Sequence, residues 1–310
     1  MLALLGIFIV SFLIVFLSMP AFIRKMFALG YTVLDQYKSN KPRVANMGGL
    51  VILAGVVGSV ISALLLTGYS EQLLVVYYMV TFSSLLGLVD DLRNLNRAVK
   101  IFLPFLAAIS ISIVARDPNV WLGFFSINLG IFYPYLIAPI YVMVVSNLIN
   151  MHSGYNGLAI GLSSILFLFS SLKSYMLRGP DSLILIAPMF GAIVAFWYYD
   201  RYPSKVFLGN CGSFTIGVAL GSFLILNKLE LFGVVALFPH IVNFLMYVIW
   251  KIKKVGEVKF GRLRSDGTLI VPNNLTLKWF LPYYFRLNER QATALMYLLT
   301  TISCAVALLL

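Results

Sequence analysis

The chain has 310 residues, 61% of them apolar and only 11% charged, with a mean hydropathy of +0.94. Soluble domains carry about 25% charged residues, so this chain lacks the polar groups to cover a water-facing surface, and a soluble globular protein is excluded. Two cysteines, Cys211 and Cys304, exclude a disulfide framework and a cysteine-rich zinc site, and no nucleic-acid-binding module or solenoid repeat is present.

Apolar runs long enough to cross a ~30 Å hydrocarbon core as helices follow one another along the chain. They are Leu2–Ile23, Met47–Leu66, Leu73–Val89, Val99–Val114, Ile131–Ile149, Leu158–Leu172, Ser182–Tyr199, Val206–Leu226, Leu231–Trp250 and Ala292–Leu309. The pattern predicts an all-α polytopic membrane protein of about ten transmembrane helices, one domain over 1–310. The first run lacks a small-residue cleavage site and reads as a retained helix rather than a signal peptide. Trp121–Leu129 is too short to span and is expected at the interface.

With ten spans, one side of the membrane holds 19 of the 23 Lys and Arg residues and seven of the 11 acids, so the whole net charge of +12 lies there. Basic loops stay in the cytoplasm, which places both termini outside. A face this basic attracts anionic headgroups and also suits a polyanionic substrate.

Four polar stretches break the apolar pattern. In the first, Asp90 and Asp91 end one span, and Lys100 opens the next. Adjacent acids repel unless a cation faces them, which suits a phosphate site or a general base; a solvated helix end is the ordinary alternative. The second, Ser146–Leu158, carries Asn147, Asn150, Gly154 and Asn156. Asn147 and Asn150 share a helix face; amide oxygens ligate hard cations, or simply bond between helices. In the third, Gly209, Asn210 and Gly212 put a polar turn at the head of a span. The fourth is the basic loop 251–290, where Asp266-Gly267 reads as a hairpin turn. Arg262 and Arg264 would then share one face of a small ribbon and could clamp phosphate, with Lys259 close by.

The order of these motifs resembles the polyprenyl-phosphate N-acetylhexosamine-1-phosphate transferases (glycosyltransferase family 4). The match runs from Asp90-Asp91 with Lys100, through Asn147-x-x-Asn150 and Gly154-Tyr155-Asn156-Gly157, to Tyr202-Pro203-Ser204-Lys205-Val206-Phe207 and Gly209-Asn210. Pro239-His240-Ile241-Val242-Asn243 and Asn273-Asn274-Leu275-Thr276 resemble the eukaryotic and archaeal UDP-GlcNAc–dolichyl-phosphate branch; the histidine-rich loop of the bacterial muramoyl-pentapeptide branch is missing.

The resemblance covers about residues 20–290 and implies ten helices around a cytoplasmic active-site cleft. It implies transfer of GlcNAc-1-phosphate from UDP-GlcNAc to a polyprenyl (dolichyl) phosphate, releasing UMP, with Mg²⁺ or Mn²⁺ as cofactor. Membrane lipids are expected partners, a homodimer is one open arrangement, and the sequence does not give the oligomeric state.

By the same resemblance Asp90, Asp91 and Lys100 are catalytic, with Asp90 favoured as the group acting on the lipid phosphate. Asn150 and Asn210 are metal ligands. Asn147, Gly154, Asn156, Lys259, Arg262 and Arg264 bind substrate. Asn210 departs from the family, which carries Asp there, so a metal held by Asn150 and Asn210 would depend on the substrate diphosphate. Another UDP-N-acetylhexosamine, undecaprenyl phosphate as acceptor, a transporter and an inactive membrane partner remain the competing readings.

Overall fold

A computed structural model describes residues 1–93, 95–254, 256 and 258–310, apart from the side chains of Arg97, Ile101 and Leu103. Asn94 of the Asp-Asp stretch and Glu257 of the basic loop lie outside the described residues, as does the Arg97 side chain.

All ten apolar runs carry helix. Among the described residues, seven helical segments are long and apolar enough to cross a membrane. They are α1 (Leu2–Ala28), α2 (Gly49–Thr67), α3 (Glu71–Arg93), Tyr133–Met151, whose α-helical part is α5 (Ala138–Met151), α6 (Leu158–Arg178), α8 (Gly209–Leu226) and α12 (Glu289–Leu308). The pair α9 (Glu230–Ala236) and α10 (Phe238–Ile252) is bent by 63° and makes an eighth if counted as one span. The chain is thus an integral, multi-pass membrane protein.

The two remaining runs are helical but broken. α4 (Arg97–Ala108) contains Pro104 and tightens into a 3₁₀ turn over Ile109–Ile113. α7 (Ala187–Asp200) follows a 3₁₀ turn over Pro180–Leu185 and has Pro188 in its first turn, where a missing N–H costs nothing.

α8 is the axis of the bundle. Every residue from Cys211 to Ile225 is buried, as expected for a helix that is apolar all round. It packs against α2, α3 and α5, and small residues let the backbones touch. A Cβ added to Gly49 of α2 would lie 2.2 Å from the Gly212 nitrogen, and one added to Gly87 of α3 would lie 2.6 Å from the Cys211 Cα. On the periphery, Leu5, Ile9, Leu13 and Leu17 of α1 stay exposed, the face a lipid-contacting helix presents.

Three antiparallel hairpins decorate the helices. β1 (Thr32–Leu34) pairs with β2 (Arg43–Ala45), β3 (Asn119–Trp121) with β4 (Ser126–Asn128), and β5 (Arg262–Leu263) with β6 (Leu269–Ile270). The last is the expected ribbon: Asp266 Oδ1 accepts from the Thr268 N–H at 2.9 Å, and Gly267 sits at φ +79°. The short run after Trp121 forms the second hairpin. α11 (Leu277–Tyr284) links the ribbon to α12, whose start is fixed by a capping box between Asn288 and Gln291.

Candidate active site

The end of α3 and the first turn of α4 bring the acid pair and the lysine together. Lys100 Nζ lies 2.9 Å from Asp90 Oδ1, which also accepts the Leu95 N–H at 2.9 Å. Asp90 Oδ2 accepts from Asn210 Nδ2 at 2.7 Å. Asp91 turns the other way. Its Oδ1 accepts the Asn210 N–H at 2.8 Å and its Oδ2 the Cys211 N–H at 3.0 Å.

These amides are unpartnered by the rules of helix geometry, because the first turn of α8 has no preceding carbonyls. Asp91 therefore caps α8 from a different helix, and its charge meets the positive end of the helix dipole. Gly209, at φ +72°, makes the approach feasible: a Cβ there would lie 2.6 Å from Asp91 Oδ2.

A cleft of about 290 Å³ opens beside this junction. Asp91, Asn150, Gly154, Asn156, Asn210 and Lys259 line it, so six residues singled out in the sequence meet on one surface. Asp90 is 2% exposed and stands behind the wall with Lys100. The cleft-facing carboxylate is Asp91, whereas the resemblance favoured Asp90.

Three other expected site residues are placed elsewhere. Asn147 does not line the cleft, and its amide donates to the Met143 carbonyl at 2.9 Å. Arg262 is exposed on β5. Arg264 folds back on its own hairpin, donating to the Leu269 carbonyl at 2.7 Å, so the two arginines form no common clamp. Lys259 is the basic-loop residue that reaches the cleft.

The 153–157 loop is held from below and behind. Lys278 on α11 donates to the Ser153 carbonyl at 2.7 Å, and burial lowers its pKa to about 8. Lys278 and His240 lie near His152, whose pKa falls well below the usual histidine value through burial and these two neighbours. The Asn156 amide oxygen accepts from the Ser204 N–H at 2.9 Å, which ties this loop to the Tyr-Pro-Ser-Lys turn.

The sequence reading missed several cleft residues, including Asp35, Tyr37, Asp200 and Ser213. Burial pushes the Tyr37 hydroxyl pKa up, and this hydroxyl accepts from the Gly261 N–H at 3.2 Å. An acid inside a basic loop was the available signal for Asp35; Ser213 carried none.

Among the described residues there is no group of three or more His, Cys, Asp or Glu side chains that could hold a metal ion. Two amides, Asn150 and Asn210, stand on the cleft wall, and the oxygens of Asp91 already receive two N–H bonds. Hard cations favour carboxylates. Asn150 and Asn210 offer amide oxygens to a cation, on the same wall as the carboxylates of Asp35, Asp91 and Asp200.

A helical membrane protein with a carboxylate–lysine–amide cleft at one end of its bundle defines the class. The Glycosyl transferase family 4 model matches residues 73–228, which contain the acid pair, Lys100, Asn150, Asn156 and Asn210. The chain is 30% identical over 282 residues to a protein of Saccharolobus solfataricus, with 86% of this chain and 85% of the relative covered. It is 31% identical over 287 residues to one of Sulfolobus acidocaldarius, with 86% and 84% covered. Both are provisionally named UDP-N-acetylglucosamine–dolichyl-phosphate N-acetylglucosaminephosphotransferase. A phospho-N-acetylmuramoyl-pentapeptide-transferase of Staphylococcus epidermidis is 27% identical over 262 residues, with 78% and 82% covered. The chain belongs to glycosyl transferase family 4.

Removing the Asp91 carboxylate strips two acceptors from the head of the most buried helix. Asp91→Ala is expected to cost about 1–2 kcal/mol, the range of a lost N-cap, read by denaturant titration in detergent micelles. Unchanged stability would show that water replaces the cap.

Proposed function

We propose that the protein transfers N-acetylglucosamine-1-phosphate from UDP-GlcNAc to a polyprenyl phosphate of the dolichyl type, releasing UMP. The relatives' names support the donor and acceptor. The observation that carries the reading is the course of α5. One end of this helix brings Asn150 into the polar cleft. Its Tyr141, Val144, Val145 and Leu148 line an apolar groove of about 220 Å³ against Leu237 and Ile241 at the α9–α10 bend. A polar cleft at one end of α5 and an apolar groove along the same helix support a soluble dianion and an isoprenoid tail as the two substrates.

An oxygen of the lipid phosphate attacks the phosphorus that carries the sugar. The bond from that phosphorus to the bridging oxygen breaks, and UMP leaves with the electron pair. Asp91 orients the acceptor phosphate and takes its proton where one is present. Lys100, paired with Asp90 behind the cleft wall, adds positive charge near the diphosphate, which favours bond breaking most where water is scarce. Gly154 and Asn156 border the uridine end, and Lys259 borders the diphosphate and sugar. A divalent cation, magnesium or manganese, would be held by the amide oxygens of Asn150 and Asn210 and would neutralise the diphosphate. The charge bias supports a cytoplasmic face for the cleft.

The direct test is UMP release from UDP-GlcNAc that depends on added polyprenyl phosphate, run with a panel of nucleotide sugars. Asp91→Asn is expected to lower turnover by about 10²-fold or more, and Lys100→Ala to raise KM for UDP-GlcNAc. Near-normal turnover in both Asp90→Asn and Asp91→Asn would defeat the mechanism, and release without acceptor would defeat the reaction class.

Topology is read with Asp266→Cys in a cysteine-free background. Asp266 is fully exposed at the ribbon tip. An impermeant thiol reagent should label it only after cells are opened; labelling of intact cells would place the cleft outside.

The metal assignment predicts weak Mg²⁺ binding without nucleotide, and tighter binding in Asn210→Asp, since a carboxylate supplies full charge where an amide supplies a dipole. Equal Mg²⁺ affinity in the two forms would remove Asn210 from the ligand set.

A further inference from the structure

Glu289, the first residue of α12, is 3% exposed, and both of its oxygens are engaged by distant parts of the chain. Oε1 accepts the Asn156 N–H at 2.7 Å. Oε2 accepts Lys38 Nζ, which also lies 3.1 Å from Asp35 Oδ2 and 4.0 Å above the Tyr202 ring. Asp35 and Asn156 are both wall residues of the cleft. One carboxylate therefore joins the segment that follows α1, the loop between α5 and α6, and the last helix.

We propose that Glu289, with Lys38, is a positioning residue for the nucleotide end of the donor, setting where the Asn156 backbone stands relative to the Asp35 wall. The assignment rests on the transferase reading above. Neither residue lines the cleft, so both act through Asn156 and Asp35. Lys38 stands between two buried carboxylates, so neutralising Glu289 leaves Lys38 to Asp35 alone and removes the charge that holds it toward the Asn156 loop. Glu289→Gln keeps an oxygen for the Asn156 N–H but removes the charge that faces Lys38. The effect therefore falls on the position of the loop rather than on its attachment.

The test compares wild type, Glu289→Gln and Lys38→Met/Glu289→Gln in two readouts. The first is the rise in thermal midpoint on adding UDP, which needs no lipid acceptor. The second is the kinetic split. Glu289→Gln is expected to raise KM for UDP-GlcNAc about tenfold, with KM for polyprenyl phosphate and kcat within about threefold, the signature of lost binding common to ground and transition states. The double variant, which also strips the buried Asp35 of its cation, should lose at least as much, and the UDP-induced shift should follow the same order. A lowered thermal midpoint with unchanged donor KM and an unchanged UDP shift would overturn the proposal and leave Glu289 a structural staple. If Glu289→Gln does not fold, the double variant against wild type decides, with an unchanged donor KM and UDP shift again overturning it. If wild type releases no UMP yet responds to UDP, the transferase reading fails while the role of Glu289 in nucleotide binding is still read.

Discussion

The site depends on a helix end that another helix completes. α8 begins deep among its neighbours, where bare N–H groups would be costly. The carboxylate of Asp91 supplies their acceptors. With Asp91 fixed on the backbone N–H groups of Asn210 and Cys211, Asp90 takes the Asn210 side-chain amide and Lys100. The two acids escape mutual repulsion because each faces a different positive partner: a helix terminus for one and an ammonium for the other. The close approach that permits this is steric, set by Gly87, Gly209 and the contact of Gly49 with Gly212.

The same arrangement revises a reading based on helix ends. Acids at the end of a span look solvated in sequence, and their removal looks harmless to stability. In the structure Asp90 is buried, and Asp91 has a bonding partner on each oxygen. Catalysis and stability therefore draw on the same pair, and a variant of Asp91 has to be judged on both.

Much of this was legible in the sequence because lipid imposes a strong pattern. The ten runs are all helical, and the Asp266-Gly267 turn closes the expected ribbon. The breaks in the fourth and seventh runs were less visible: composition stays apolar where Pro104 and the 3₁₀ turns interrupt regular helix. At the site, the motif order and the resemblance it carries singled out Asn150, Gly154, Asn156, Asn210 and Lys259, which line the cleft, and the ribbon arginines came from strand spacing. That spacing misled for Arg264, because alternation along a strand says which face a side chain leaves from, not whether the guanidinium folds back on a carbonyl. Glu289 drew no attention because its partners are 133 and 251 residues away, beyond any local pattern.

That separation has a consequence for the order in which the molecule is made. Helices insert as they are synthesised, and contacts between distant segments form last. The segment carrying Lys38 and the loop carrying Asn156 both exist long before α12, yet neither has its shared acceptor until Glu289 arrives. A nascent chain that has inserted everything through α11 holds the acid pair, the lysine and the amides, but its nucleotide end is still unlatched. Closure of the site is therefore timed to the arrival of the last helix.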